Sequence, residues 1–572
     1  MSRLGRPSVL GTRYGVSTTH YLATEAASHI LKQGGNAIDA GISAGISLSV
    51  VERHLCDFGG VAPIILHRPG MDAPQTIDGL GRWPRRLDLA TYLERYGGTM
   101  PEGVARAVTP GAPAAWLSAL ALHGTMSLEE VLGPAITLAQ GFPVFPRLAS
   151  DIAANADQLR SWPTSSSVFL REGRPPTEGE ILVQPELEQL LLELCRVERA
   201  HRHQGRQAGI VAAENAFYRG EIAERIARFL AAEGSVLDSE DLADSCAEIG
   251  TGVRTTYRGI EVHACGPWSQ GPLVPMTLKL LEGFGDLGSF APEHPRAIHR
   301  FAEAMKLTLA DREGFFGDPD FVDVPMRGLL DAAYLAARRE LLDEARAHPT
   351  LPPPGDPWPY EGRSGRPGYR PKPTSGSSGR DTAYVCVLDA HGNAFSATPS
   401  DDGLTSPLVP GLGIAVSTRG SQLWLDPKHP SAIEPGKRPR LTPNPALLMC
   451  GGRALMPFGC PGGDAQTQAM VQVAINILDR GLSLQEAIER PRVVSYCAPD
   501  SFYPHGSEPG VLGVEANLPE SVVAELARLG HRIRTHPRFS ASLAAVCAVR
   551  RRDDGALEAG ADPRRESQAI TW

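Results

Sequence analysis

The most constraining stretch of this 572-residue chain lies past its middle, where a polar, glycine-rich run stops at Asp381-Thr382 and a β-hairpin pattern begins. Residues 384–388 are β-branched and aromatic, Ala390-His391-Gly392-Asn393 is a turn signal, and residues 394–398 resume an extended pattern. Upstream, 14 of the 29 residues from 352 to 380 are Pro or Gly. No compact element tolerates that density, so the segment reads as a linker or mobile loop. A threonine where a cleavable loop meets a buried strand is what a chain needs if it cuts itself to expose an N-terminal nucleophile. On that reading the 381–382 bond is the cleavage site and Thr382 becomes the new N-terminus. From this segment alone, a threonine that merely starts a strand is the simpler account.

Bulk properties narrow the classes. Hydrophobic content of 42% and charged content of 21% are those of an ordinary globular protein. A net charge of −9 without a long Lys/Arg block argues against a nucleic-acid partner. The nine cysteines are scattered singly, with no Cys-x-x-Cys pair or His-rich ligand spacing, so reduced thiols and no metal or other cofactor are expected. The N-terminus lacks an apolar signal core, and the longest apolar run, near residues 40–51, is too short to span a bilayer. A cytoplasmic protein without a membrane partner is therefore expected.

Taken in order, residues 16–19 read as a strand, and helical periodicity starts near Leu22 and stops at Gly34-Gly35. Asn36 is a plausible cap for a second helix over residues 37–51, whose small residues on several faces require burial. Gly41-Ile42-Ser43-Ala44-Gly45 within it matches a serine nucleophile elbow, but an elbow needs a strand before it and a sharp turn at the Ser. Close helix packing explains those residues better. Helical periodicity then dominates to about residue 350, with residues 157–179 and 204–212 reading as loops. Arg82, in a loop between Gly81 and Trp83-Pro84, could hold a substrate carboxylate or be a plain surface residue. Later, Gly459-Cys460-Pro461-Gly462-Gly463-Asp464 opens a long helix carrying Met470, Val471, Ala474, Ile475 and Leu478. Glycines at a helix start leave bare backbone N–H groups at its positive end, suited to a phosphate or an oxyanion. The Lys-Ser/Thr of a phosphate loop is missing, which favours the oxyanion.

In this order the segments resemble the γ-glutamyltransferase family of N-terminal-nucleophile hydrolases over nearly the whole chain. The resemblance rests on Leu22-Ala23-Thr24-Glu25-Ala26, Gly34-Gly35-Asn36-Ala37-Ile38-Asp39-Ala40, Thr109-Pro110-Gly111, Lys437-Arg438-Pro439, Pro461-Gly462-Gly463 and Asp562-Pro563-Arg564. Each is weak alone; six in sequence order turn the odds at Thr382 toward catalysis. The resemblance implies an α+β fold, a four-layer αββα sandwich. It implies a large subunit, 1–381, ending in the Pro/Gly-rich loop 352–380, and a small subunit, 382–572, the two forming one structural domain. It also implies that Thr382 attacks its own preceding carbonyl during maturation and then a substrate amide, with its freed α-amine as base. Ser400 falls where the family has a hydroxyl bonded to that amine, and Gly462 and Gly463 match its oxyanion glycines. No cofactor is implied. The partners would be a small-molecule amide or γ-glutamyl-type donor, and water or an amine as acceptor.

Departures gather at the substrate end. The family's Arg-Glu-x-x-Pro segment becomes Leu80-Gly81-Arg82-Trp83-Pro84, with the Arg displaced by two positions. The paired serines after Lys-Arg-Pro become Leu441-Thr442, the acidic pair for the glutamyl ammonium becomes Ser421-Gln422, and a family Asn becomes Asp402. A buried ammonium without a carboxylate partner is costly, so a standard γ-glutamyl group fits this pocket poorly. Arg82, Asp402, Arg419, Gln422 and Thr442 are the candidates for substrate recognition. An unprocessed, non-catalytic homologue that keeps the fold as a binding protein remains the alternative.

Overall fold

The computed structural model describes residues 5–376 and 382–572. Asp381, expected immediately before the cleavage site, lies outside the described residues, as does the end of the Pro/Gly-rich segment. Among the described residues, two seven-stranded sheets dominate. One runs Gln568–Thr571, Tyr14–Thr18, Val385–Asp389, Ala394–Ala397, Ile64–His67, Gln75–Ile77, Ile249–Gly250. The other runs Val9–Gly11, Leu557–Ala561, Cys547–Arg551, Arg453–Gly459, Ala446–Cys450, Ile260–Ala264, Val253–Tyr257. Every neighbouring pair in both is antiparallel.

The layers follow from period-two alternation on strands buried on both faces. Val385 and Val387 join an outer core with the helices Tyr21–Lys32 and Ala37–Val51, whereas Tyr384, Cys386 and Leu388 point into a core between the sheets. On the second sheet, Ala446 and Leu448 meet the helices Leu273–Glu282, Pro295–Phe315 and Gln466–Leu478, while Leu447 and Met449 face the first sheet. Helix, sheet, sheet, helix is the expected αββα sandwich.

The helix Ala37–Val51 starts where the sequence places its cap: Asn36 Oδ1 accepts from Ile38 N at 2.8 Å and Asp39 N at 3.0 Å. All its residues are buried, and its glycines are contact points. A Cβ on Gly41 would lie 2.1 Å from the Phe395 ring, and one on Gly45 2.5 Å from Trp116. Ser43 is mid-helix, so the elbow pattern is coincidental.

Three local expectations are corrected. Residues 204–212 are not a loop: Arg206–Arg219 is a helix, because Ile210, Ala213 and Phe217 form a buried stripe beneath a polar start. The region 157–179 contains the short helices Ala156–Ser161 and Pro163–Phe169. Within the supposedly helical lobe, Val253–Tyr257 and Ile260–Ala264 form a hairpin whose turn residues Arg258 and Gly259 both have positive φ, 50° and 79°. The described part of the Pro/Gly-rich segment, although almost without regular structure, is fastened to the body. Trp358 is buried, Tyr369 N donates to Gly314 O at 3.2 Å, and Thr374 O accepts from Ser507 N at 3.0 Å. No described helix is long and apolar enough to cross a membrane.

Candidate active site

Thr382 is fully buried at the entrance to the strand Val385–Asp389. Its neighbour is locked in register, with Ala383 N donating to Pro399 O at 3.0 Å. Ser400 is held in turn by reciprocal backbone bonds with Val61, 2.9 and 3.0 Å long. This pairing brings the two hydroxyls together, Thr382 Oγ1 to Ser400 Oγ at 2.8 Å. Arg419 Nη2 donates to Ser400 Oγ, so a buried guanidinium stands behind the serine.

Arg419 is itself positioned by the residue after Ser400. Asp401, with φ at 150°, accepts from Ser417 Oγ at 2.5 Å, Thr418 Oγ1 at 2.8 Å and Thr418 N at 3.2 Å, and lies 3.9 Å from Arg419 Nε. A non-glycine residue in that backbone region is uncommon and persists where its surroundings dictate it. The candidate Asp402, by contrast, caps its own turn by accepting from Leu404 N at 2.9 Å. Sequence reasoning selected the second aspartate and missed the first.

Gly462 and Gly463 have φ of 124° and 54°, and a Cβ on Gly462 would lie 2.6 Å from that of Ala544. Both line a cavity of about 680 Å³, whose walls include Thr374, Ser375 and Gly376 from the Pro/Gly-rich segment. Among the described residues neither glycine N–H has an acceptor, so the turn presents bare donors. It is braced from behind. Gln270 Nε2 donates to both Gly463 O and Thr442 O at 2.9 Å, and its own oxygen accepts from Arg312 Nη1 at 3.2 Å. Arg312 also pairs with Asp464, which accepts from Ser501 N and Oγ, both at 2.7 Å. Burial would raise the Glu313 carboxyl, but Arg440 and Arg312 hold it well below its ordinary range, so the scaffold beneath the turn stays ionised.

Of the recognition candidates, Gln422 and Thr442 are brought together, Gln422 Nε2 donating to Thr442 Oγ1 at 3.3 Å. Both are buried, and Gln422 Oε1 and the neighbouring Ser421 Oγ have no partner among the described residues. Arg82 is directed elsewhere: its guanidinium donates to Glu248 and, at 3.3 Å, to Gly436 O. Glu248 and Asp320 also bind Arg438, so Arg82 sits at the rim of a structural ion network. Among the described residues, the one cluster with metal-ligand character is His299, Glu303 and His531, and there Lys306 already occupies Glu303 at 2.7 Å.

The family model for Gamma-glutamyltranspeptidase matches residues 23–572. The chain is 31% identical over 574 residues to the Glutathione hydrolase-like YwrD proenzyme of Bacillus subtilis (strain 168), covering 98% of this chain and 99% of that one. It is 32% identical over 554 residues to the Acylase ACY 1 proenzyme of Pseudomonas sp. (strain SE83), covering 94% and 90%. Among solved structures, that of LmbA2991HD superposes with a TM-score of 0.90 at 34% identity, over 99% of this chain and 100% of the other.

Proposed function

Because this chain belongs to the γ-glutamyltranspeptidase family, and is therefore an amide-bond hydrolase or transferase of the N-terminal-nucleophile class, we propose that Thr382 is its nucleophile, freed by self-cleavage after Asp381. The observation that carries this reading is the 2.8 Å contact between Thr382 Oγ1 and Ser400 Oγ, with the Gln466 amide, three residues past the glycine turn, 3.4 Å from the same hydroxyl. That relatives of both the glutathione hydrolase and acylase types are proenzymes supports it.

Thr382 Oγ adds to the substrate's amide carbonyl while the Thr382 α-amine takes the hydroxyl hydrogen. An α-amine titrates near a pKa of roughly 8, so modest desolvation sets it where a base works best. The oxyanion is met by the N–H groups of Gly462 and Gly463. Collapse expels the amine, which takes the hydrogen from the ammonium and leaves an acyl ester on Thr382. Water or a second amine then repeats the addition and releases the acyl group. In the uncut chain the same nitrogen is an amide without a basic lone pair, so turnover waits on cleavage.

The acyl group is recognised through neutral hydrogen bonds rather than by an ion pair to an ammonium. Gln422 Oε1 and Ser421 Oγ are buried polar atoms without a partner among the described residues, and Thr442 stands beside Gln422. Arg419 supplies positive charge near the nucleophile, whereas Arg82 is committed to Glu248. Denaturing electrophoresis with N-terminal sequencing tests the assignment. Fragments ending at 381 and beginning at Thr382 are expected, and Thr382→Ala should leave one uncut, inactive chain. Assays of the processed enzyme on γ-glutamyl-p-nitroanilide beside simple acyl amides test the pocket, and preference for the glutamyl donor would refute neutral recognition.

A further inference from the structure

The structure holds a second side chain against the nucleophile that the mechanism above does not use. Gln466, the first residue of the helix Gln466–Leu478, is fully buried, with its amide 3.4 Å from Thr382 Oγ1. Only one orientation of that amide satisfies it. With Nε2 turned toward the carbonyls of Thr442 and Cys460 it donates to both, at 3.1 and 3.2 Å, and Oε1 faces Thr382. The reverse orientation sets oxygen against two carbonyl oxygens.

Resting on the assignment of Thr382 as nucleophile, we propose that Gln466 is a positioning residue that fixes the Thr382 hydroxyl and ties it to the oxyanion turn. Hydrogen inventory supports the direction. Arg419 can only donate, and it donates to Ser400 Oγ. Ser400 can pass its single hydrogen to Thr382 Oγ1 at 2.8 Å, and the Thr382 hydrogen then points to Gln466 Oε1. The order Arg419 to Ser400 to Thr382 to Gln466 gives each of these contacts one donor and one acceptor. The separation of 3.4 Å exceeds a relaxed O–H···O contact, so Gln466 orients the hydroxyl loosely enough for its hydrogen to pass to the α-amine once cleavage frees that amine.

The other end of the amide gives the arrangement its purpose. Cys460 immediately precedes Pro461-Gly462-Gly463, and it also returns a contact, Cys460 Sγ donating to Gln466 O at 3.3 Å. Thr442 belongs to the recognition pair with Gln422. One side chain therefore spans nucleophile, oxyanion turn and acyl pocket, whose relative placement sets the rate of acyl transfer.

The test uses the full chain with Gln466→Met, which keeps side-chain length but has neither donor nor comparable acceptor, and with Gln466→Glu. In the Met variant, cleavage at 381–382 and kcat of the processed enzyme should each fall about tenfold, the scale of one lost hydrogen bond near the reacting atom, with KM within about twofold and Tm close to wild type. A protonated Glu can donate to one carbonyl and still accept from Thr382, whereas an ionised one repels both carbonyls. The Glu variant should therefore approach wild-type turnover at low pH and lose it along a new limb as pH rises. A Met variant turning over at the wild-type rate, or a Glu variant with the wild-type pH profile, would overturn the proposal. Thr382→Ala is run in parallel; if it still cleaves, the nucleophile assignment fails, independently of Gln466.

Discussion

Thr19 and Tyr384 clamp one another across the first sheet. Thr19 N donates to Tyr384 O at 3.1 Å, and Tyr384 N donates back to Thr19 Oγ1 at 3.3 Å. The Thr19 hydroxyl passes its hydrogen to Glu52 Oε2 at 2.6 Å. This clamp grips the chain two residues after Thr382 and so limits how far Thr382 can move.

Thr19→Val keeps the shape of that side chain but strands the Tyr384 N–H and a buried carboxyl. A buried donor left unsatisfied costs roughly 1–3 kcal/mol. Thermal unfolding of the variant should show a loss of that order, and an unchanged Tm would remove the clamp as a stabilising feature.

Glu52 should make stability fall with rising pH. Burial pushes its carboxyl from 4.5 up to about 7, against the Thr19 hydrogen bond and Arg565. A group whose pKa is raised by folding stabilises fully below its unfolded value, and that contribution is lost as pH climbs through the folded one. His20, pushed down to about 4 by burial, acts in the opposite sense, costing stability as pH falls from 6.5. The informative quantity is therefore the difference between wild type and Glu52→Gln. Wild type should lose Tm relative to the variant from about pH 4.5 to 7 and then level off.

Ser400→Ala removes the hydroxyl between Arg419 and Thr382. Steady-state kinetics of processed enzyme should show kcat reduced by roughly 10²-fold, within the span associated with a lost catalytic proton or charge contact. Unaltered kcat would mean that Thr382 is oriented without Ser400.

The helix Ala37–Val51 separates a packing role from a catalytic one. Ser43 Oγ has no partner among the described residues, so Ser43→Ala should leave turnover intact and stability equal or higher. Gly41→Ala would press a methyl into the Phe395 ring, and overpacking of this kind costs typically about 1–3 kcal/mol. Equal melting of the two variants would contradict the packing account.

The sequence made the hairpin after Thr382 legible because both its strands and the turn carry local signals, and Gly392 takes the positive φ, 88°, that its turn needs. It exposed the Asn36 cap for the same reason: a cap is a contract between residues two and three apart. The hairpin at Arg258-Gly259 escaped because Arg disguises a residue with φ of 50°, and the strand Val253–Tyr257 alternates only weakly. Asp401 and Gln466 escaped for a different reason. Nothing local distinguishes Asp401 from Asp402, and Gln466 reads as an ordinary first-turn residue until Thr382 arrives beside it.

By itself the sequence determined the kind of chemistry: a threonine at the end of a Pro/Gly-rich segment, a glycine turn opening a helix, and motifs in family order. Those features depend on covalent neighbours and on backbone preferences that act over a few residues. Tertiary structure decided the partners. Ser400 reaches Thr382 because reciprocal bonds to Val61 set its register, Gln466 reaches it from 84 positions away, and Arg82 is drawn off to Glu248. Contacts between residues this remote follow from strand pairing and from layers packed to exclude water, and neither is written in any one segment.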